Sequence, residues 1–202
     1  QATEVYLDPN AHLDHIQLQR RNSVAHLTRA IEASVQRNAH YRNHNLAFGS
    51  PLVRTDLVVN LEGEASDTTL NGLVLLTGKD LVDNHSRIEH KVAHCPSREQ
   101  YKHVLDDKSR AVFAGRIHVH EDAQKTDAYQ NNRTLLLSDD ATIDTMPQLE
   151  IYADDVKCSH GATTGQLDPT ELFYLRSRGI SHAVARQVLT LAFANEVIMN
   201  VP

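Results

Sequence analysis

Short apolar segments separated by polar turns recur along this chain, and this pattern constrains its fold more than any other feature. Leu57, Val59 and Leu61 share one face of an extended segment, which is the period-2 pattern of a half-buried strand. Similar short segments follow at residues 70–76, 112–119, 135–137 and 149–151. Short strands without long helices between them predict an all-β solenoid, barrel or sandwich.

Two further features favour a solenoid. The interval between Ala141 and Ala162, which have similar surroundings, indicates a coil-by-coil repeat. The chain has only four Phe and no Trp, and its many single Val, Ile, Leu and Ala residues suit a narrow interior. The terminal strands of a solenoid have unpaired backbone groups, so this fold predicts an edge that a partner can complete.

Charge and composition exclude several classes of protein. The net charge of −6 argues against a nucleic-acid surface, which needs a clustered basic stripe. No apolar run approaches the ~20 residues that span a bilayer, and no signal peptide is recognisable. Two cysteines in 202 residues do not form a disulfide framework, so we expect reduced thiols in a cytoplasmic protein.

Signals for helices are strongest in the C-terminal part of the chain. Asp168, followed by a proline and by Glu171, forms a capping box and predicts a short helix that ends at Gly179. A longer helix is predicted from Ser181 to about Asn200. We expect its apolar stripe to pack against the preceding helix, with part of it free to face another protein. The stripe comprises Val184, Val188, Leu191 and Ala192, with Phe193 and Val197 alongside. A second capping box at residues 97–100 predicts another short helix, through about residue 107.

Cys158 and His160 are the leading candidates for a functional site. The strand pattern that begins at Leu149 continues through them, so both side chains point to the same face of the backbone. A thiolate and an imidazole can both bind iron, and imidazole replaces thiolate in some iron–sulfur clusters. Cysteine is also commonly a small buried hydrophobe, so the residues alone leave both interpretations open.

Two other groups of histidines are weaker candidates for metal ligands. His90 and His94, with Cys95, are spaced like ligands on a helix, but the Glu of the HExxH motif is absent. We interpret them as structural or solvated side chains. His118 and His120 share one face of a strand, and the sequence places no third ligand within reach.

Two patterns associated with enzymes are weak in this chain. The segment from Gly72 to Lys79 resembles a phosphate loop, but its glycines are one residue too far apart and Asp80 replaces the hydroxyl residue, so no ATP hydrolysis is expected. Paired carboxylates could serve sugar hydrolysis, as in carbohydrate-active β-helices, although Asp-rich turns are more often solvated. The aspartates concerned are Asp139, Asp140, Asp154 and Asp155.

Residues 111–180 closely resemble one known family. The segments that carry the resemblance are AVFAGRIHV, AQKTDAYQNNRTLLLSDDATIDTMPQLEIYADD and DDVKCSHGATTGQLDPTELFYLRSRGI. They are similar to the SufB/SufD family of iron–sulfur cluster assembly scaffolds. The resemblance implies a mainly β fold, with a right-handed parallel β-helix over residues 1–166 and a small C-terminal α-helical unit over residues 167–202. It also favours strands over a helix at residues 25–36.

The chain is more similar to the SufD branch of this family than to the SufB branch. SufB-type sequences carry a Cys where this chain has Asn132, and a Glu-His-Glu run around the position of His160. Neither that Cys nor the second Glu is present, so any cluster ligands here are expected to be incomplete without a partner. A SufB-type scaffold that binds a cluster by itself stays the alternative within the family.

The resemblance also implies a function and partners. We expect a non-catalytic scaffold without a permanently bound cofactor, which pairs with SufB through its terminal strands. An iron–sulfur cluster would be shared transiently at that interface, near His160 and Cys158. The SufC ATPase would dock on the C-terminal helices, in a region that includes Phe173, Tyr174, Arg178 and Gly179. The isolated chain is expected to form a homodimer, and a carbohydrate-active β-helix enzyme is the alternative from another class.

Overall fold

The computed structural model describes residues 1–20 and 24–202. Twelve strands lie in these residues, and in chain order they are β1 (Ala2–Leu7), β2 (His12–Arg20), β3 (His26–Val35), β4 (His40–Phe48), β5 (Leu52–Leu61), β6 (Asp67–Leu76), β7 (Leu81–His90), β8 (Pro96–Leu105), β9 (Arg110–Val119), β10 (Asp127–Leu136), β11 (Thr142–Ile151) and β12 (Lys157–Gly165). Two helices follow them, α1 (Pro169–Ser177) and α2 (His182–Ile198).

The strands form two six-stranded sheets that face each other across the interior. Sheet A has the order β1-β3-β5-β7-β9-β11, and sheet B has the order β12-β10-β8-β6-β4-β2. The chain therefore alternates between the sheets, and one strand from each sheet makes one turn of a coil. Every strand pairing recorded within the described residues is parallel. The predicted parallel β-helix with two C-terminal helices is confirmed, with about six turns.

One coil is longer than the interval between Ala141 and Ala162 that we expected to be the repeat. His40 and its stacked neighbour Asp67 are 27 positions apart in the chain. The interval from Ala141 to Ala162 was wrong as a repeat, because it joins a residue beside sheet A to a residue in sheet B. Only strands of the same sheet stack directly above each other.

Inward-pointing side chains fill the interior between the sheets. Phe113 of sheet A and Tyr101 of sheet B are both buried, and their ring centroids lie 5.0 Å apart. The Tyr101 ring also covers the backbone of Gly72, where a β-carbon would lie 2.1 Å from a ring atom. The segment that resembles a phosphate loop is therefore a buried strand with a tightly packed glycine, followed by a turn.

Left-handed residues occupy corresponding turns in successive coils. In the turns that lead from sheet A to sheet B, these residues are Asn10, Asn38, Ala65, His94 and Lys125, with φ between 55° and 64°. The side-chain amide of Asn38 donates a hydrogen bond of 3.2 Å to the side-chain oxygen of Asn10. The first five of these turns therefore share a left-handed residue, although only some of these residue types favour that conformation.

The Asp168 cap predicted for α1 is confirmed, and the longer helix starts at Ser181 as predicted. Asp168 accepts a hydrogen bond of 2.7 Å from the backbone N–H of Thr170, and Ser181 caps α2 through Val184. Gly179 follows α1 with a φ of 85°. The described residues contain no helix with both the length and the apolar character that a membrane crossing needs.

α2 packs on the outer surface of sheet B, and its expected apolar stripe was wrong. Val184, Val188 and Leu191 are exposed, whereas Ala194 and Val197 are buried against Leu73 of β6. The buried face lies next to the stripe around the helix, because sheet B presents its own apolar surface there. That surface comprises Leu46, Phe48, Leu73 and Leu75.

The helix predicted from Ser97 was also wrong, because residues 96–105 form β8 in the middle of sheet B. Ser97, Glu99 and Tyr101 point inward and are buried. β8 pairs with β6 on one side and β10 on the other, so two complete ladders satisfy its backbone. These two ladders outweigh one local capping signal.

Candidate functional site

The candidate cluster site lies on β12, the outermost strand of sheet B. Within the described residues β12 pairs with β10 alone, and β11 is the outermost strand of sheet A at the same end. Cys158 lies opposite Ala128, and His160 lies opposite Gln130. Ala128 and Gln130 are both buried inside the coil. Because paired residues of a parallel sheet share a face, Cys158 and His160 belong to the interior face of the last coil.

Cys158 lies between the core and solvent. Its side chain is half-buried and packs against the apolar cluster of the interior. Burial raises the pKa of this thiol, an effect that the backbone hydrogen bond with Ala128 opposes. Cys158 also borders an open depression of about 440 Å³, which Arg98, Tyr129 and Lys157 help to line. Cys158 therefore lies beside an opening at the surface of the last coil.

His160 is exposed at the same edge, and a column of polar side chains continues from it into the core. Its neighbour Gln130 donates a hydrogen bond of 2.6 Å from Nε2 to Oε2 of Glu99, and both groups are buried. Burial raises the pKa of Glu99, which favours its neutral carboxylic acid. The exposed imidazole thus lies in register with a buried pair of hydrogen-bonded groups.

This thiol and imidazole supply two potential ligands for iron. An iron–sulfur cluster is held by four ligands, of which imidazoles replace thiolates in some centres. Within residues 1–20 and 24–202, the groups of three clustered metal-binding side chains do not include Cys158 or His160. A cluster at this edge would need further ligands from another molecule.

The residues expected to dock an ATPase lie on and just after α1. Phe173 and Tyr174 are exposed, by 73% and 57%, although both are large and apolar. The Arg178 guanidinium lies over the Tyr174 ring, 5.2 Å from its centroid. Gly179 then allows the chain to turn into α2. The arrangement presents aromatic surface and one cation to solvent.

The histidines expected to be structural divide into two cases. His90 is buried at the end of β7, and its Nε2 lies 3.0 Å from the Ser97 hydroxyl. Burial lowers the pKa of His90 to about 4, so it is neutral. His94 lies in the turn that follows, so the helix that the spacing resembled does not form.

The other case is His118 and His120, where sequence reasoning missed a third residue. Glu89 of β7 lies directly beside His118 of β9, because the two positions are one coil apart. Nδ1 of His118 is 2.6 Å from Oε2 of Glu89, and Nε2 of His120 is 2.9 Å from it. The signal that could have found Glu89 is the length of this coil, which places it 29 positions before His118.

The aspartates considered for sugar hydrolysis are not brought together. Asp139 and Asp140 precede β11, and Asp154 and Asp155 follow it, so a strand of ten residues separates the two pairs. Such a strand is roughly 33 Å long, whereas the carboxylates of glycosidases lie about 5–9.5 Å apart. Asp155 is instead paired with Lys125.

The described fold defines the chain as a parallel β-helix protein whose last strand displays a thiol and an imidazole. Its sequence matches the family described as "SUF system FeS cluster assembly, SufBD core domain" over residues 1–193, so the chain belongs to this family. The resemblance seen in residues 111–180 is thereby confirmed.

Two relatives illustrate this membership. The chain is 42% identical over 188 residues to the iron-sulfur cluster assembly protein SufD of Escherichia coli (strain K12), which covers 93% of this chain and 44% of that protein. It is 38% identical over 200 residues to an iron-sulfur cluster assembly SufBD family protein of Synechocystis, with coverage of 99% and 44%. The chain therefore spans less than half the length of these relatives.

Proposed function

We propose that this chain is the core of a SufD-type, non-catalytic scaffold that supports iron–sulfur cluster assembly together with SufB and SufC. The observation that carries the proposal is the position of Cys158 and His160 on the outermost strand of sheet B. Two ligands on an edge suit a cluster that is built between subunits and then released. The cluster is cargo in this scheme and not a resident cofactor.

SufB is proposed to complete the edge that β11 and β12 form. An exposed strand edge offers backbone donors and acceptors that a strand of another chain can pair with. Such pairing would bring the partner's residues next to Cys158 and His160. The half-buried thiol and the exposed imidazole would then share a cluster with ligands from SufB.

SufC is proposed to dock on the exposed side of α1 and the turn that follows it. Phe173 and Tyr174 expose large aromatic surfaces there, and Arg178 adds a cation beside them. Aromatic and arginine side chains are enriched at the centres of protein interfaces.

We place the protein in the cytoplasm, since both cysteines are free thiols.

Substitutions on β12 test the proposed cluster site. We expect His160→Ala and Cys158→Ala to preserve binding to SufB and to lower cluster assembly by the complex. The matched control is Ser159→Ala, because Ser159 is also exposed on β12 but points to the opposite face. The readout is the absorption of clusters formed anaerobically on the purified complex. Cluster formation that is unchanged in both variants would refute the role of this edge.

Substitutions on α1 test the docking of SufC separately. Phe173→Ala and Tyr174→Ala should weaken co-purification with SufC, whereas cluster ligands on β12 stay intact. Tyr6→Ala is the control, since Tyr6 is 80% exposed on β1 at the other end of the solenoid. Equal recovery of SufC with all three variants would contradict docking on α1.

A further inference from the structure

A second group of metal-binding side chains lies on the outer face of sheet A, away from β12. Glu89 is on β7, His118 is on the neighbouring strand β9, and His120 follows the end of β9. Potential ligand atoms of the three side chains all lie within 4.8 Å of one another. The backbone N–H of His120 donates a hydrogen bond of 3.0 Å to the carbonyl of His90, which holds His120 beside β7.

The carboxylate of Glu89 is oriented so that one oxygen faces both imidazoles. Its side chain is only 8% exposed, and Nε of Arg87 lies 3.1 Å from Oε1. Oε2 is the oxygen that approaches Nδ1 of His118 and Nε2 of His120. Arg87 therefore fixes the carboxylate from one side and leaves its other oxygen available.

The site is open to solvent on the side of the histidines. The side chain of His118 is 22% exposed and that of His120 is 41% exposed. Tyr152 packs edge-to-face against His118, with ring centroids 5.4 Å apart, and this contact limits rotation of the ring. An ion can therefore enter from solvent, while two of the three ligands are held in place.

The donor set has the composition of known transition-metal sites. Two imidazoles and one carboxylate bind Zn²⁺ in some hydrolases and Fe²⁺ in some oxygenases, and water fills the remaining positions. Bonds of about 2.1 Å in tetrahedral geometry place a nitrogen and an oxygen ligand about 3.4 Å apart. The present separations of 2.6 and 2.9 Å need to open by less than 1 Å.

We propose that Glu89, His118 and His120 bind a divalent transition-metal ion with the ligand preferences of Zn²⁺ or Fe²⁺. This site is separate from the proposed cluster edge, since it uses residues of the other sheet and none of the cysteines. The ion would link β7 to β9 on the outside of the solenoid. Because an ion that binds only the folded state stabilises it, the site would also raise the resistance of the chain to unfolding.

Titration of the purified chain with Co²⁺ tests the site directly, because Co²⁺ gives visible absorption bands that report its coordination. We expect saturable binding of one ion, displacement by Zn²⁺, and a higher melting temperature with Zn²⁺. A parallel anaerobic titration with Fe²⁺ distinguishes iron from zinc as the preferred ion. Wild-type protein that binds neither Co²⁺ nor Zn²⁺ saturably would overturn the proposal.

Variants assign the binding to these residues. His118→Gln and His120→Gln should each weaken Co²⁺ binding by at least about tenfold, the effect that loss of even an outer-sphere partner produces. His85→Gln is the matched control, because Nε2 of His85 makes a single pair with Asp83 at 2.8 Å. Circular dichroism checks the fold of each variant. If His118→Gln unfolds, the binding measured for His120→Gln decides the result, because the His120 side chain is exposed. Binding that is unchanged in His120→Gln would also overturn the proposal.

Discussion

The Lys102 ammonium of β8 lies 2.6 Å from the Glu196 carboxylate of α2, and this ion pair joins the solenoid to its C-terminal helix. The Lys102 side chain is fully buried, although half of Glu196 is exposed. Nζ also donates a hydrogen bond of 2.8 Å to the carbonyl of Phe193 and lies above the ring of the same residue. Burial lowers the pKa of Lys102, and hydrogen bonding from Lys102 lowers the pKa of Glu196.

A double-mutant cycle on this pair should show strong coupling. Glu196→Gln leaves a buried ammonium without its counterion and should lower the free energy of unfolding by about 1–2 kcal/mol, a range reduced for the exposure of Glu196. Adding Lys102→Met should recover most of this loss, because an apolar side chain removes the buried charge as well. Urea unfolding measures all four proteins. Additive effects would show that the pair does not hold α2 to sheet B.

The sequence predicts those features of the fold that depend on nearby residues. The alternation of Leu57, Val59 and Leu61 predicts β5, because every second side chain along a strand points to the same face. Asp168 and Ser181 predict the starts of both helices, since each side-chain oxygen accepts a hydrogen bond within its own first turn. In each case the interaction that the pattern predicts joins residues only a few positions apart in the chain.

Features that depend on distant residues could not be predicted in this way. Ser97 lies inside sheet B because its partner Thr68 lies one coil before it and its partner Ala128 lies one coil after it. The third member of the histidine cluster, Glu89, lies one coil before His118 for the same reason. A single sequence does not reveal these pairings until the length of the coil is known, and the coils here differ in length.

The turn at Ala65 offers a stabilising substitution. Ala65 has a φ of 58°, in the left-handed region that costs an L residue roughly 1–2 kcal/mol. Glycine avoids this cost but loses about 0.5–1 kcal/mol in backbone entropy. Ala65→Gly should therefore raise the free energy of unfolding by about 0.5–1 kcal/mol. Ala93→Gly is the control and should lower it, because Ala93 has no positive φ. A lower free energy of unfolding for Ala65→Gly would show that the left-handed backbone at Ala65 is not strained.

Glu99 should make the stability of the fold depend on pH. Burial raises its pKa above the ordinary value of 4.5, so its contribution is complete below that value. As the pH rises above 4.5, the unfolded chain ionises first, and stability falls until the pH passes the folded pKa. Glu99→Gln removes this loss and can still accept the hydrogen bond from Gln130. Its stability relative to the wild type should therefore increase between pH 4.5 and pH 8.

Urea unfolding across this pH range measures the effect of Glu99→Gln. Glu171→Gln is measured in parallel as the control, because it removes an exposed carboxyl group of α1. If the free energy of unfolding changes with pH in the same way for Glu99→Gln and the wild type, the buried carboxyl group is ionised in the folded protein.

The isolated chain should form a homodimer through its β12 edge, because backbone groups on the outer side of β12 have no partner strand among the described residues. Light scattering at micromolar concentrations measures its mass, and a monomer throughout would refute the prediction.

Thr163→Pro and Thr164→Pro locate the contact, since neighbouring residues of a strand direct their N–H groups to opposite sides. One substitution should reduce dimerisation without loss of stability, and the other should weaken the pairing with β10. Dimers that persist in both folded variants would place the contact elsewhere on the molecule.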